Sequence, residues 1–215
     1  NKPYISEKQY FEIYAHHLDL NLEKALLLSR YLHDLGVFLH FQDDALLRRT
    51  VVLQNQWATD AVFQLLDDES VRANFGRFDE IDCERLWPDA LYSDMHLELR
   101  ALMLKFELCY QLPDVHPAVW LVPQLLPLSR PSTLDKWEQP GDMIMRFSYD
   151  FLPKGMISRL MVRKHYFVHR PDLGWQNGVL FEQGATQLLA EVPYGSQAIT
   201  LRARGPESNA LLSVI

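Results

Sequence analysis

The chain has 215 residues, of which 48% are hydrophobic and 23% charged, enough for a buried core and normal for a globular protein. Its net charge of −7 is uneven: residues 1–130 hold 12 basic and 20 acidic side chains, residues 131–215 hold 9 and 8. That balance argues against a general nucleic-acid binder, which needs clustered Lys and Arg. No apolar run approaches the roughly 18 residues of a membrane span, and Cys83 and Cys109 are too few for a disulfide framework, so the chain reads as reduced and cytoplasmic.

Asn1–His17 lacks the apolar core of a signal peptide. The chain opens on Asn rather than Met, so it reads as a piece of a longer protein. Ser6 with Gln9 has capping-box spacing and predicts a helix to about His17. Asn21 can cap a second helix, in which Leu22, Ala25, Leu28, Leu32 and Leu35 form one buried stripe. Gly36 ends it, because glycine takes the left-handed conformation at little cost. Val37–Phe41 then reads as a strand, and so does Arg49–Leu53, which is β-branched at Thr50, Val51 and Val52. Asn55 can cap a helix through Leu66 that carries Trp57. A shorter helix is predicted from Asp79 to Leu86.

Ser93 can cap a long helix reaching about Tyr110, with Met95, Leu99, Leu102, Met103, Phe106 and Tyr110 as its apolar face. Trp120–Leu126 reads as extended. Composition changes over Pro127–Gly141, and a domain boundary is placed near residue 130. Residues 1–130 are therefore read as a helix-rich, winged-helix-like part with a small antiparallel sheet.

Residues 131–215 read as an antiparallel sheet with one main helix. Met143–Tyr149 alternates as a strand does. A helix is predicted with Pro153 as its first residue. Trp175–Phe181 contains Asn177–Gly178, a hairpin turn or a bulge. Gln187–Val192 and Ala198–Arg204 form a hairpin around Tyr194–Gly195. After Pro206, Ala210, Leu211, Val214 and Ile215 keep helical spacing to the last residue without a cap, so this second part is read as C-terminally truncated. The fold class is α+β in two subdomains.

Reactive constellations are missing from the sequence. It has no GxxxxGK[ST], no GxGxxG, no HExxH and no CxxC. His16 and His17 are adjacent and point about 100° apart on a helix. His33 and His40 straddle Gly36. His165 and His169 are spaced i, i+4, but Lys164 and Arg170 flank them, and structural or surface roles are expected for all of these. Cys109 lies among Phe106, Leu108 and Tyr110 and reads as a buried hydrophobe. No catalytic, cofactor-binding or metal-binding residue is assigned. Lys154, Arg159, Arg163, Lys164 and Arg170 form a basic stretch without an acid; Arg159 and Arg163 share a helix face that reads as either solvated or a docking surface for an acidic partner.

LLLSRYLHDLGVFLHF with Trp57 after it, LMLKFELCYQL followed by WLVPQLLP, and FLPKGMISRLMVR followed by GWQNGVLF occur in that order. Together they resemble the COR ("C-terminal of Roc") domain of Roco proteins, from about Ile5 to Arg204. The resemblance implies a Ras-like GTPase domain, Roc, as neighbour; that domain, not this chain, would bind GTP and Mg. It further implies a non-catalytic module that packs on Roc through its first subdomain and dimerises largely through its second. The family carries an aromatic on the 93–110 helix that packs on the GTPase; Leu99 falls at or beside that position, which makes Leu99, Arg100 and Met103 the GTPase-facing candidates. Arg159, Arg163, Trp175 and Asn177 are the dimer or docking candidates, with Trp175 reading equally as core. A winged-helix nucleic-acid-binding module is the alternative, and a small hydrolase has no nucleophile–base pair to stand on.

Overall fold

The computed structural model describes residues 2–17, 21–88, 92 and 94–215. In chain order the elements are β1 (Tyr4–Ser6), α1 (Glu7–His17), α2 (Leu22–Asp34), β2 (Thr50–Val52), α3 (Asn55–Asp67), α4 (Glu69–Ala73), β3 (Arg77–Phe78), α5 (Glu80–Leu86), α6 (His96–Lys105), β4 (Tyr110–Gln111) and β5 (Trp120–Leu121). There follow β6 (Met143–Ser148), α7 (Met156–Arg163), β7 (Gly178–Gln183), β8 (Thr186–Glu191), β9 (Ala198–Arg204) and α8 (Ser208–Val214). The class is α+β, as the sequence predicts. By packing, residues 1–67 with 83–105 form one unit, and residues 68–82 with 106–215 form another.

In the first unit, local signals set the helices. Gln9 N–H donates to Ser6 Oγ at 3.2 Å while Ser6 N–H donates to Gln9 Oε1 at 2.9 Å, so the capping box forms. Asn21 caps α2 by accepting from Lys24 N–H at 3.0 Å. Gly36, at φ +71°, ends α2 with a Schellman pair: its N–H reaches the His33 carbonyl and Val37 N–H reaches that of Leu32. Tyr10, Tyr14, Ala25, Phe38 and Val51 form one cluster. Trp57 is buried, its ring 5.3 Å from those of Tyr4 and Tyr92. Buried Trp87 donates its Nε1–H to the Ala61 carbonyl.

Several expectations are corrected here. The partner of β2 is β1, with Tyr4 opposite Val52; Val37–Phe41 contributes only a single bridge, Leu39 to Val52. The buried stripe of α2 is Ala25 and Ser29 with partly buried Leu28 and Leu32, while Leu22 and Leu35 at its ends are exposed. Asn55 does not cap α3; its amide donates to the Gly36 carbonyl. The helix predicted to reach Tyr110 ends at Lys105, because Glu107 turns to φ +58° and Tyr110 enters a strand. Ser93, its expected cap, lies outside the described residues.

In the second unit, β3, β5 and β4 make a small antiparallel sheet, Tyr110 opposite Leu121. Trp120–Leu126 is a strand only at Trp120–Leu121; Pro123–Leu125 is a 3-10 turn. The larger sheet has the order β6-β9-β8-β7. Its alternation sends Val179, Phe181, Leu188, Ala190, Leu201 and Ala203 into a core with Ile157 and Met161 of α7 and Leu211 and Leu212 of α8. Tyr110, Leu112, Leu121 and Leu126 belong to that same core. On the other face, Leu180 and Leu189 meet Leu134, Leu173 and Trp175. The Pro- and Gly-bearing stretch 127–141 thus covers one face of the sheet. Arg204 holds it there: its guanidinium stacks 3.9 Å from the Trp137 ring and bonds Asp142 at 2.8 Å.

The main helix starts at Met156 rather than Pro153, with Gly155 as its N-cap. Gln176 and Asn177 are the central residues of a tight turn closed by mutual Trp175 and Gly178 backbone bonds, so Asn177–Gly178 is not the turn centre. The β8–β9 hairpin is as predicted.

Candidate functional site

The structure sorts the candidate residues by burial. On α6, Leu99 and Met103 have no exposed surface, and Arg100 is buried too. These buried side chains offer an external partner no face. The helix presents Leu97 and Leu104 instead, both exposed. Trp175 is likewise core, at 4% exposure, with the Arg130 guanidinium 5.9 Å from its ring. Asn177 is exposed at the adjacent turn, its carbonyl accepting from Val192 N–H.

Arg159 and Arg163 share an exposed face of α7, as their spacing predicts, but both heads are engaged. Arg159 Nε bonds Glu107 Oε2 at 3.0 Å, and Arg163 Nε bonds Glu107 Oε1 at 2.7 Å. One carboxylate therefore bridges two guanidinium groups. The Arg163 hydrogen bond, reinforced by Arg159 and opposed by partial burial, holds the Glu107 carboxyl below its usual range. A depressed carboxyl stabilises the fold above its unfolded pKa, and that contribution is lost as pH falls through the lower folded value. We expect Glu107→Gln to be less stable than wild type at pH 7, by under about 1 kcal/mol because the arginines are solvated. Denaturant unfolding at pH 7 and at pH 3 checks this: the gap closes at the acid end.

His40 and His165 have structural partners and both cysteines are buried, while His16, His17, His116 and His169 are exposed. His40 is buried between Ser29 Oγ at 2.6 Å and the Arg48 carbonyl at 2.9 Å. His165 bonds the Val162 carbonyl and stacks on Tyr110. Cys83 and Cys109 are buried and form no disulfide. Among the described residues no cluster of His, Cys, Asp or Glu could hold a metal ion, and no helix is long and apolar enough to cross a membrane.

What the sequence reading missed is the exposure of β6. Among the described residues this strand pairs only with β9, so its other edge carries no neighbour in the sheet. All six of its residues are exposed, including Met143, Ile144, Met145 and Phe147. Met145 and Phe147 lie opposite Leu201 and Ile199, both of which contribute to the sheet's core. The edge thus continues an apolar face into solvent. Its one sequence signal is the run Met143-Ile144-Met145, apolar at consecutive positions and so on both faces of one strand.

Comparison with known proteins places this architecture. The family model described as "C-terminal of Roc, COR-A domain" matches residues 1–126, and that described as "C-terminal of Roc, COR-B domain" matches residues 141–215. The probable serine/threonine-protein kinase pats1 of Dictyostelium discoideum is 26% identical over 196 residues, 86% of this chain and 6% of that protein. The probable serine/threonine-protein kinase qkgA of the same organism is 29% identical over 71% of this chain and 11% of its own length. A Roc-COR-CHAT protease of Runella zeae is 25% identical over 88% of this chain and 20% of its own length. The chain therefore spans a small part of these relatives. The structure of Methanosarcina barkeri Roco2 RocCORdC bound to GDP aligns with 58% of this chain and 39% of that chain, at 26% identity and a TM-score of 0.49. The matched segments follow one another as COR-A and then COR-B, and the chain belongs to the COR domain family of Roco proteins.

Proposed function

We propose that this chain is a non-catalytic dimerisation and GTPase-regulatory module. It packs on an adjacent Ras-like Roc GTPase domain in a cytoplasmic Roco protein, with GTP and Mg bound by that neighbour. The working division lies near residue 130: the first part faces Roc and the second self-associates. Nucleotide state biases the COR–Roc and COR–COR arrangements, and the arrangement biases hydrolysis.

The observation that carries this reading is the β6 edge. A strand edge offers a row of unsatisfied N–H and C=O groups, and proteins normally blunt such edges with charge, proline or cover. Here Arg146 is the single charge among the six residues, beside four large apolar side chains. Such an edge suits a second chain that adds its own strand and covers those side chains. On the first part, the exposed Leu97 and Leu104 of α6 are the better GTPase-facing residues, since Leu99, Arg100 and Met103 are buried.

Light scattering across micromolar concentrations, with a Roc domain titrated in, tests both halves. We expect concentration-dependent self-association, and a Met145→Glu/Phe147→Glu double variant to weaken it by about 100-fold, the scale of losing central apolar anchors. Self-association unchanged in the double variant would remove β6 as the interface. Roc addition that alters neither GTP hydrolysis nor assembly would remove the regulatory role.

A further inference from the structure

From a cleft at the start of α7, we propose an oxyanion site that takes the phosphoryl group of a small organic phosphate. The cleft measures about 490 Å³ and is lined by residues of the second unit, among them Lys154, Ser158, Arg159, Gln124, Gln176 and Asn177. It is separate from the β6 edge and independent of dimerisation.

The site begins with backbone. Gly155 adopts φ +81°, and no side chain caps the first turn of α7. Arg159 N–H bonds the Gly155 carbonyl, the first in this helix to reach back to it. The N–H groups ahead of it, on Met156, Ile157 and Ser158, are the uncapped donors that make a helix start attractive to anions.

A side chain points to the ligand independently of the backbone. Ser158 is only 5% exposed, lines the cleft, and makes no side-chain hydrogen bond among the described residues. The Ser158 hydroxyl oxygen is not among the fully enclosed unpaired atoms, so it opens onto the cleft, where a ligand can reach it. An oxyanion bound at the helix start would accept from this hydroxyl.

Charge completes the case. Lys154 is an exposed cation at the cleft, without an ion-pair partner. Arg159 gives Nε and Nη2 to Glu107, which leaves its Nη1 hydrogens for a ligand. Glu107 offsets only one of the two arginines it bridges, and no carboxylate is among the lining residues named above. The cleft is much larger than a phosphate ion and falls within the size range of small-molecule pockets. The Gln124, Gln176 and Asn177 amides can then meet the polar groups of the carrier. Gln176 Nε2 already donates to the Leu126 carbonyl, so its amide is held in place with Oε1 available. A cleft of this size fits a single small molecule rather than an extended chain.

The test is NMR titration of the isotope-labelled chain with inorganic phosphate, ribose 5-phosphate and a phosphoserine peptide, each at constant ionic strength. We expect amide shifts at Met156, Ile157 and Ser158, with ribose 5-phosphate binding about tenfold tighter than inorganic phosphate. Lys154→Gln and Ser158→Ala should each weaken binding by about tenfold, the effect of losing one hydrogen bond to a charged group. Lys154 is on the surface, so that variant keeps its fold. Absence of shifts, shifts reproduced by chloride, or an unchanged affinity in Lys154→Gln would overturn the site. Tighter binding of the phosphoserine peptide would overturn the small-molecule assignment. The β6 double variant should bind ribose 5-phosphate as wild type does; lost binding there would overturn the site's independence from self-association.

Discussion

Gly178→Ala is expected to lower the stability of the second unit by about 3 kcal/mol, at the upper end of what overpacking a core costs. A Cβ on Gly178 would lie 2.0 Å from Cζ2 of the Trp175 indole and 2.2 Å from Cη2. No methyl fits at that distance, so the ring has to leave. Trp175 has nowhere to go without cost, because it packs with Leu134, Leu173, Leu180 and Leu189 under the sheet. Gly178 also opens β7 and exchanges backbone bonds with Trp175, so a shifted ring drags the turn with it. For a chain of this size the melting midpoint should fall by about 10 °C. A double-mutant cycle separates the clash from any backbone effect: in a Trp175→Ala background, adding Gly178→Ala should cost well under half as much. Equal costs in both backgrounds would refute the clash.

Leu99→Ala is the second large effect, about 2–5 kcal/mol, as for other fully buried leucines. Leu97→Ala, a little over half a helix turn away in the sequence pattern, should change stability by less than about 0.5 kcal/mol because its side chain is exposed. The pair distinguishes core from interface on α6. On the proposed function, Leu97→Ala and Leu104→Ala weaken association with Roc while the unfolding transition stays in place. Leu99→Ala lowers the transition itself. If Leu97→Ala destabilised the isolated chain as strongly as Leu99→Ala, α6 would present no free face and the GTPase contact would have to be sought elsewhere.

The two results share one cause. Leu97 and Leu99 look alike in sequence, and so do Trp175 as anchor and Trp175 as core. An apolar side chain on an amphipathic helix reports that some face is buried, not which residues finally lie inside. Where helix periodicity is sharp the reading held: Leu99, Leu102 and Met103 are all buried. It failed at the helix ends, where Leu22, Leu35 and Phe106 follow the spacing yet remain exposed.

What the sequence determined by itself lies within a few residues along the chain. Ser6 with Gln9, Asn21 with Lys24, and Gly36 after Asp34 each complete their bonding within one helical turn, so composition and spacing suffice to place them. The ordered motifs from Leu26 to Phe181 sufficed to indicate the COR family, because their order along the chain needs no coordinates. The tertiary structure alone decided the rest. Pairing of β2 with β1 joins residues some 46 apart, and Glu107 meets Arg159 and Arg163 across 52 and 56 residues. Sheet order left Met143–Ser148 on an edge, although its pattern is equally that of a central strand. Strand neighbours are chosen by long-range closure and shared burial, and no local pattern encodes which strand ends the sheet.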